Sequence, residues 1–154
     1  MNTKITQYLD EQQVSYRLLH QSKPTTSIDD TAQERGVEPS QMIKCILLRD
    51  MDNNYTLACS SGDQSIDPKK VRAFLQCRRM TCVSIDDVET ITGFKVGTVG
   101  PLQLKFNLPI IFDHSLKEKN WVTISSGDRM AGIAISMEDL VALSNPKFAS
   151  INKD

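Results

Sequence analysis

Residues 42–60 read MIKCILLRDMDNNYTLACS, and this stretch decides the fold. Ile43, Ile46, Leu47 and Leu48 make a short apolar run that predicts a strand over Met42–Arg49. Asp52-Asn53-Asn54 then supplies turn chemistry, because short polar side chains bond their own backbone and tolerate left-handed conformations. Tyr55 to Ser60 returns as the second arm of a hairpin. A hairpin is antiparallel, so the chain is not built on a purely parallel sheet.

On the N-terminal side, Ile5, Tyr8, Leu9 and Val14 have near-helical spacing and predict an amphipathic helix ending near Gln13. A strand over Ser15–Leu19 and a loop at Lys23-Pro24-Thr25-Thr26 follow. Ser27 with Asp30 three positions on resembles a capping box, and Gly36 can stop that helix. Glu38 to Gln41 is a turn into the hairpin.

On the C-terminal side, Asp67 before Pro68 is a cap with proline in the first turn, starting a helix through Val71, Phe74 and Leu75. Met80–Val83 reads as a strand. Ser84 with Asp87 opens a helix reaching Ile91, which Gly93 ends. Pro109–Asp113, Trp121–Ser125 and Gly132–Ser136 read as strands, and Met137–Leu143 as a last helix. Helices and strands interleave around a hairpin, which predicts an α+β fold.

A length of 154 residues predicts one domain over 1–154, since domains hold about 100 to 200 residues. With 40% hydrophobic and 24% charged residues, the chain can build an ordinary core. No apolar run approaches the roughly 20 residues of a membrane span, and the polar start lacks a secretory signal, which makes the cytoplasm the expected compartment. Cys45, Cys59, Cys77 and Cys82 form no CxxC pair and read as buried thiols. The net charge of -1 means that any contact with phosphates must be local. Lys69, Lys70, Arg72, Arg78 and Arg79 crowd one segment, either as such a patch or as a solvated face.

The most specific chemical pattern is the stretch from Thr92 to Pro101, with Gly93, Gly97 and Gly100. Glycines let a backbone approach a ligand, and turned amides can bind an anion or a developing oxyanion; the same loop would also serve as a plain connection. It lacks the GK[ST] end of a P-loop and the GxGxxG of a dinucleotide site. His20 and His114 are isolated, with no HExxH or Cys/His ligand spacing, so neither metal nor cofactor is expected. Lys44 opens an apolar strand; its ammonium either stays wet at the edge or faces a pocket, where it could hold a phosphate or polarise a carbonyl. Ser-Ser-Gly-Asp occurs at Ser60–Asp63 and at Ser125–Asp128, as ordinary turns or as two rims of one pocket.

Lys44 opening Lys-Cys-Ile-Leu-Leu, with Thr92-Gly93-x-x-x-Gly97-x-x-x-Pro101 about fifty residues later, resembles the YbaK/EbsC family of free-standing aminoacyl-tRNA deacylases. That family is related to the editing domain inserted in bacterial prolyl-tRNA synthetases. The order of His20, the Thr31-Ala32-x-x-x-Gly36 helix, the lysine strand, Ile111-Phe112-Asp113, the Ser125–Gly127 turn and the Glu138-Asp139-Leu140 helix also matches, over nearly the whole chain.

The resemblance implies a mixed, strongly curved, barrel-like sheet flanked by helices, and hydrolysis of the ester of mischarged tRNA without a metal. Lys44 and amides near Gly97 and Gly100 would act on the ester. His20, Leu18, Ile46, Ser60, Gly93, Val99, Pro101, Asp113, Ser125, Ser126 and Gly127 would line or shape the binding site, with Leu18, Ile46 and Val99 setting its size. The partners implied are the CCA end of tRNA with its amino acid, most of all tRNA(Pro) carrying cysteine or alanine, and an aminoacyl-tRNA synthetase. Where relatives carry an SGGxRG turn, this chain has Ser125-Ser126-Gly127-Asp128-Arg129-Met130-Ala131-Gly132, which leaves room for a binding module that holds an acylated end without cleaving it.

Overall fold

The computed structural model describes residues 1–154. The chain runs through α1 (Lys4–Glu11), β1 (Tyr16–His20), α2 (Ile28–Arg35), a 3-10 turn (Pro39–Gln41), β2 (Ile43–Asp50) and β3 (Tyr55–Ser61). It continues through α3 (Pro68–Leu75), β4 (Met80–Cys82), α4 (Ile85–Thr92), β5 (Ile110–Asp113) and a second 3-10 segment (His114–Glu118). The last elements are β6 (Trp121–Ser125), β7 (Ala131–Ser136), α5 (Met137–Ser144) and β8 (Lys147–Ala149).

The helix boundaries follow from their caps. The Ser27 side chain accepts from the Asp30 amide at 3.1 Å and Gly36 ends α2 at φ 72°. Asp67 caps α3 ahead of Pro68, and the Ser84 hydroxyl accepts from the Asp86 amide rather than from Asp87. A reciprocal capping box forms where it was not expected, between Thr3 and Thr6 at the start of α1.

The strands form two sheets. β1-β7-β6 is antiparallel, and β4-β2-β3-β5-β8 is mixed, with β5 lying parallel to both β3 and β8. The hairpin pairs Ile43 with Ser61 through Arg49 with Tyr55. A single parallel bridge, Met42 to Thr123, ties one sheet to the other. The barrel-like expectation is therefore corrected: neither sheet closes. β4 has only three residues and pairs with β2 only from Leu48 to Asp50, so the strand that would continue the wall stops short.

Two apolar clusters hold these layers. Leu47, Leu57, Phe112, Val122, Ile124 and Ile133 draw both sheets together, with Ile5 and Leu9 of α1 added one helical turn apart. Leu48, Ala58, Val71 and Ile111 pack α3 on the opposite face of the larger sheet. Alternation along β2 thus feeds two cores, each fully buried Leu or Ile contributing roughly 1.5–3 kcal/mol.

Candidate active site

The short β4 leaves a gap. Between the Met42–Thr123 bridge and the pairing at Leu48, β2 has no partner strand on the side away from β3. A cavity of about 520 Å³ opens along this free edge, and Ile43 to Leu47 all line it, residues of both strand faces included. The opposite wall is the glycine loop, through Val96, Gly97 and Val99, with Thr123 to Ser125 of β6 between. α2 and the loop before it contribute Thr25, Thr31 and Arg35, and the end of β4 contributes Cys82 and Val83.

The glycine loop is held in shape from beneath. Gly97 sits at φ 87°, a left-handed conformation that costs glycine little, and a side chain there would meet open space. The Thr98 amide and hydroxyl both donate to the Lys95 carbonyl, closing the turn. The Ser125 hydroxyl donates to the Thr98 carbonyl at 2.7 Å, and Arg129 donates to the Val96 carbonyl at 3.1 Å. The amides of Gly97 and Val99 make no hydrogen bond within the protein, so donors remain free on this wall.

Charge in the cavity is one-sided. Arg35, Lys44 and Arg129 line it and no Asp, Glu or His does, although the whole chain carries a net charge of -1. Neither ion pair in the structure involves these three, since they join Lys70 to Asp154 and Arg78 to Asp52. Burial pushes the Lys44 ammonium below its ordinary value; Asp63 opposes the shift and Lys153 adds to it. Burial likewise lowers Arg35. The basic run at Lys69–Arg79 lies elsewhere, on α3 and the approach to β4.

Of the residues expected from sequence, Lys44, Ile46, Gly97, Val99 and Ser125 line this one cavity. Gly100 is buried behind the wall, where a Cβ would lie 3.7 Å from that of Ser125. Gly93 ends α4 at φ 83° against Lys105, and Pro101 is buried behind the loop. Gly127, at φ 90°, packs on Phe94 and Ile5 and donates its amide to the Ser125 hydroxyl. Ser126 is buried and its hydroxyl donates to the Ala131 carbonyl at 2.6 Å, so it closes the turn.

Four others stand outside the cavity wall. His20 is exposed at the end of β1, and Leu18, opposite Ile133, packs against the larger core. The buried Ser60 hydroxyl, on β3 at the position paired with Lys44, donates to the Asn152 side chain. Asp113 is buried and accepts from the amides of Ser115, Ile151 and Asn152. Of the cysteines, Cys59 is buried, Cys45 and Cys77 are half-buried, and Cys82, read from sequence as buried, is exposed at the cavity because β4 is an edge.

Arg35, Arg129, Thr31 of α2 and Thr25 in the loop before it escaped the sequence reading. The available signal was Ala32: three residues before Arg35, it is the buried position of α2 and shares its face.

No helix is long and apolar enough to cross a membrane, and no group of three or more His, Cys, Asp or Glu side chains comes together as a metal-ligating cluster. Comparison with known proteins agrees on the fold. A solved structure described as a candidate trans-editing enzyme for prolyl-tRNA synthetase superposes with a TM-score of 0.83 at 20% identity, covering 100% of each chain. The solved protein APE2540 gives 0.89 at 22% identity over 98% of this chain and 100% of its own.

By sequence, EbsC of Enterococcus faecalis, a candidate Cys-tRNA(Pro)/Cys-tRNA(Cys) deacylase, is 23% identical over 130 residues, or 84% of this chain and 79% of its own. The proline–tRNA ligase of Bacillus licheniformis is 32% identical over 91 residues, 59% of this chain but only 16% of the ligase. The family model for the aminoacyl-tRNA editing domain matches residues 22–143, a span that contains every wall of the cavity. By that match the chain belongs to the aminoacyl-tRNA editing domain family.

Proposed function

We propose that this protein hydrolyses, without a metal, the ester that joins a wrongly attached amino acid to the terminal ribose of tRNA, with cysteine or alanine on tRNA(Pro) as the substrates. The observation that carries this is the cavity: three cations, no carboxylate, an apolar wall and free backbone amides in one space. Its volume suits one aminoacyl-adenosine rather than a helical stem. A local positive site also reconciles phosphate binding with a near-neutral chain.

The chemistry asks little of side chains. Water adds to the ester carbonyl, the C–O bond to ribose breaks, and the ribose hydroxyl leaves with a proton. An aminoacyl ester is already activated, so positioning and stabilisation of the developing oxyanion supply much of the rate. Lys44 and the free amides of Gly97 and Val99 are the donors for that charge, and substrate hydroxyls share in proton transfer. The EbsC likeness, at 23% identity, supports the choice of cysteine and tRNA(Pro).

The test is release of amino acid from a panel of aminoacyl-tRNAs by purified protein. Cys-tRNA(Pro) and Ala-tRNA(Pro) are expected to lose their amino acid while Pro-tRNA(Pro) persists. Tight binding of a nonhydrolysable aminoacyl-adenosine with no release from any tRNA would instead make the protein a binding module.

A further inference from the structure

The cavity's cations are not equivalent. Arg129 is exposed and spends a terminal amino group on the Val96 carbonyl, while Lys44 is a single flexible point charge. Arg35 is built in. Its Nε donates to the Gln21 side-chain oxygen at 2.7 Å, and Gln21 is itself buried, with its amide nitrogen donating to the Lys23 carbonyl and the Thr25 hydroxyl. These bonds orient the Gln21 amide, and through it the plane of the guanidinium.

The strand below is shaped to admit that plane. A Cβ added at Gly132 would lie 2.5 Å from Arg35 Nη1 and 2.9 Å from Cζ, so the guanidinium lies across the bare α-carbon of β7. Glycine within a strand is otherwise unfavourable, and here, at the second position of β7, its missing side chain is the space the arginine fills. Both terminal amino groups of Arg35 lack a protein partner, and no buried side-chain nitrogen is left unpaired, so these groups keep contact with solvent on a residue that lines the cavity. The neighbouring hydroxyls are already engaged: Thr31 donates to the Ser27 carbonyl and Thr25 to Thr31.

We infer that Arg35 is an anion-binding residue whose fork takes the phosphate on the 5′ side of the terminal adenosine, leaving Lys44 for the ester. This rests on the reading of the cavity as an acylated tRNA-end site. A fixed guanidinium with two free parallel donors matches two phosphate oxygens, whereas an α-ammonium would be repelled by it. Burial without an acidic partner also lowers the arginine from its ordinary value, a cost that a bound anion offsets.

The experiment compares three probes by calorimetry: a nonhydrolysable 3′-aminoacylamido-adenosine, the same compound with a 5′-phosphate, and 5′-AMP. Wild-type protein is expected to bind the phosphorylated analogue roughly tenfold to a hundredfold more tightly than the unphosphorylated one, as charged hydrogen bonds allow. Arg35→Gln should erase that advantage, so that the variant binds the two aminoacyl analogues within about twofold of each other. Gly132→Ala keeps the charge but displaces the fork, and should erase it too.

An advantage that survives both substitutions, or none in wild type, overturns the role of Arg35 and leaves the ester reading standing. 5′-AMP binding as tightly as the phosphorylated analogue would make the ligand a free nucleotide and overturn it as well. Wild-type protein that binds neither analogue overturns the tRNA-end reading and the Arg35 assignment together.

Discussion

The Ser125 hydroxyl donates to the carbonyl of Thr98 at 2.7 Å, and so fastens the glycine loop to the end of β6 across 27 positions of sequence. The same oxygen accepts from the Gly127 amide at 3.1 Å. One side chain therefore fixes both the loop that carries free amides and the turn beneath it.

Ser125→Ala is expected to loosen that loop. A neutral hydrogen bond of this kind contributes about 0.5–1.5 kcal/mol, so urea unfolding should show a loss of that order. Deacylation should fall by more than the stability change alone predicts, since displaced amides no longer meet the oxyanion; tenfold in kcat with KM little changed is the expected pattern. A kcat equal to wild type would mean that the loop keeps its shape without Ser125.

Lys44 sets a pH dependence. Its folded pKa lies below that of a free lysine because burial disfavours the ammonium, so its contribution to stability is full above the unfolded value and lost as pH falls through the folded one. At neutral pH the charge therefore opposes folding, and Lys44→Met should leave stability unchanged or raise it. Activity has the opposite sign. kcat/KM should drop by roughly a hundredfold in Lys44→Met. In wild type it should decline on the alkaline side at lower pH than an ordinary lysine would give, with Lys44→Arg moving that limb upward. A flat alkaline limb would remove the ammonium from the reaction.

What could be read from the chain depended on how local its cause was. The hairpin was legible because Asp52-Asn53-Asn54 encodes its own turn, with Asn53 at φ 61°. The helices were legible because Ser27, Asp67 and Ser84 cap within three residues. β8 was not: Lys147 to Ala149 is too short to show alternation, and it becomes a strand only by lying parallel to β5. The failure of the sheet to close was equally hidden, because it depends on how many residues of β4 reach β2 in space.

The candidate site divides in the same way. Lys44, Gly97 and Ser125 sit in readable patterns, a lysine on an apolar strand and two glycine-bearing turns. Arg35 stands in the last turn of α2, where a cation ordinarily complements the helix dipole and needs no other reason. Contact with Gly132, 97 positions away by their numbers in the chain, and the bond to Gln21 give it another.

Asp113 acts on stability, away from the cavity. Burial alone would raise its pKa, but the Ser115 hydroxyl and the amides of Ile151, Ser115 and Asn152 together hold it below the usual carboxylate value. Its stabilising contribution is thus present above the unfolded pKa and lost as pH falls through the folded one. Asp113→Asn should cost about 1–3 kcal/mol at neutral pH, flatten the acid limb of the stability profile and leave KM unchanged. Urea melts between neutral and acidic pH would show whether the two profiles converge.

Pocket size separates two residues that the sequence grouped together. Val99 lines the cavity, whereas Leu18 faces Ile133 in the core behind it. Val99→Ala removes two methyl groups from the cavity wall, and about one methylene of space changes discrimination by roughly 10- to 200-fold. Relative kcat/KM for a larger aminoacyl group over alanine should therefore rise by at least tenfold in this variant. Leu18→Ala instead removes core packing, costing about 1–3 kcal/mol of stability while the ratio between the two substrates holds. If Leu18→Ala shifted that ratio as far as Val99→Ala does, the acyl group would have to reach past the cavity wall into the space between β1 and β7.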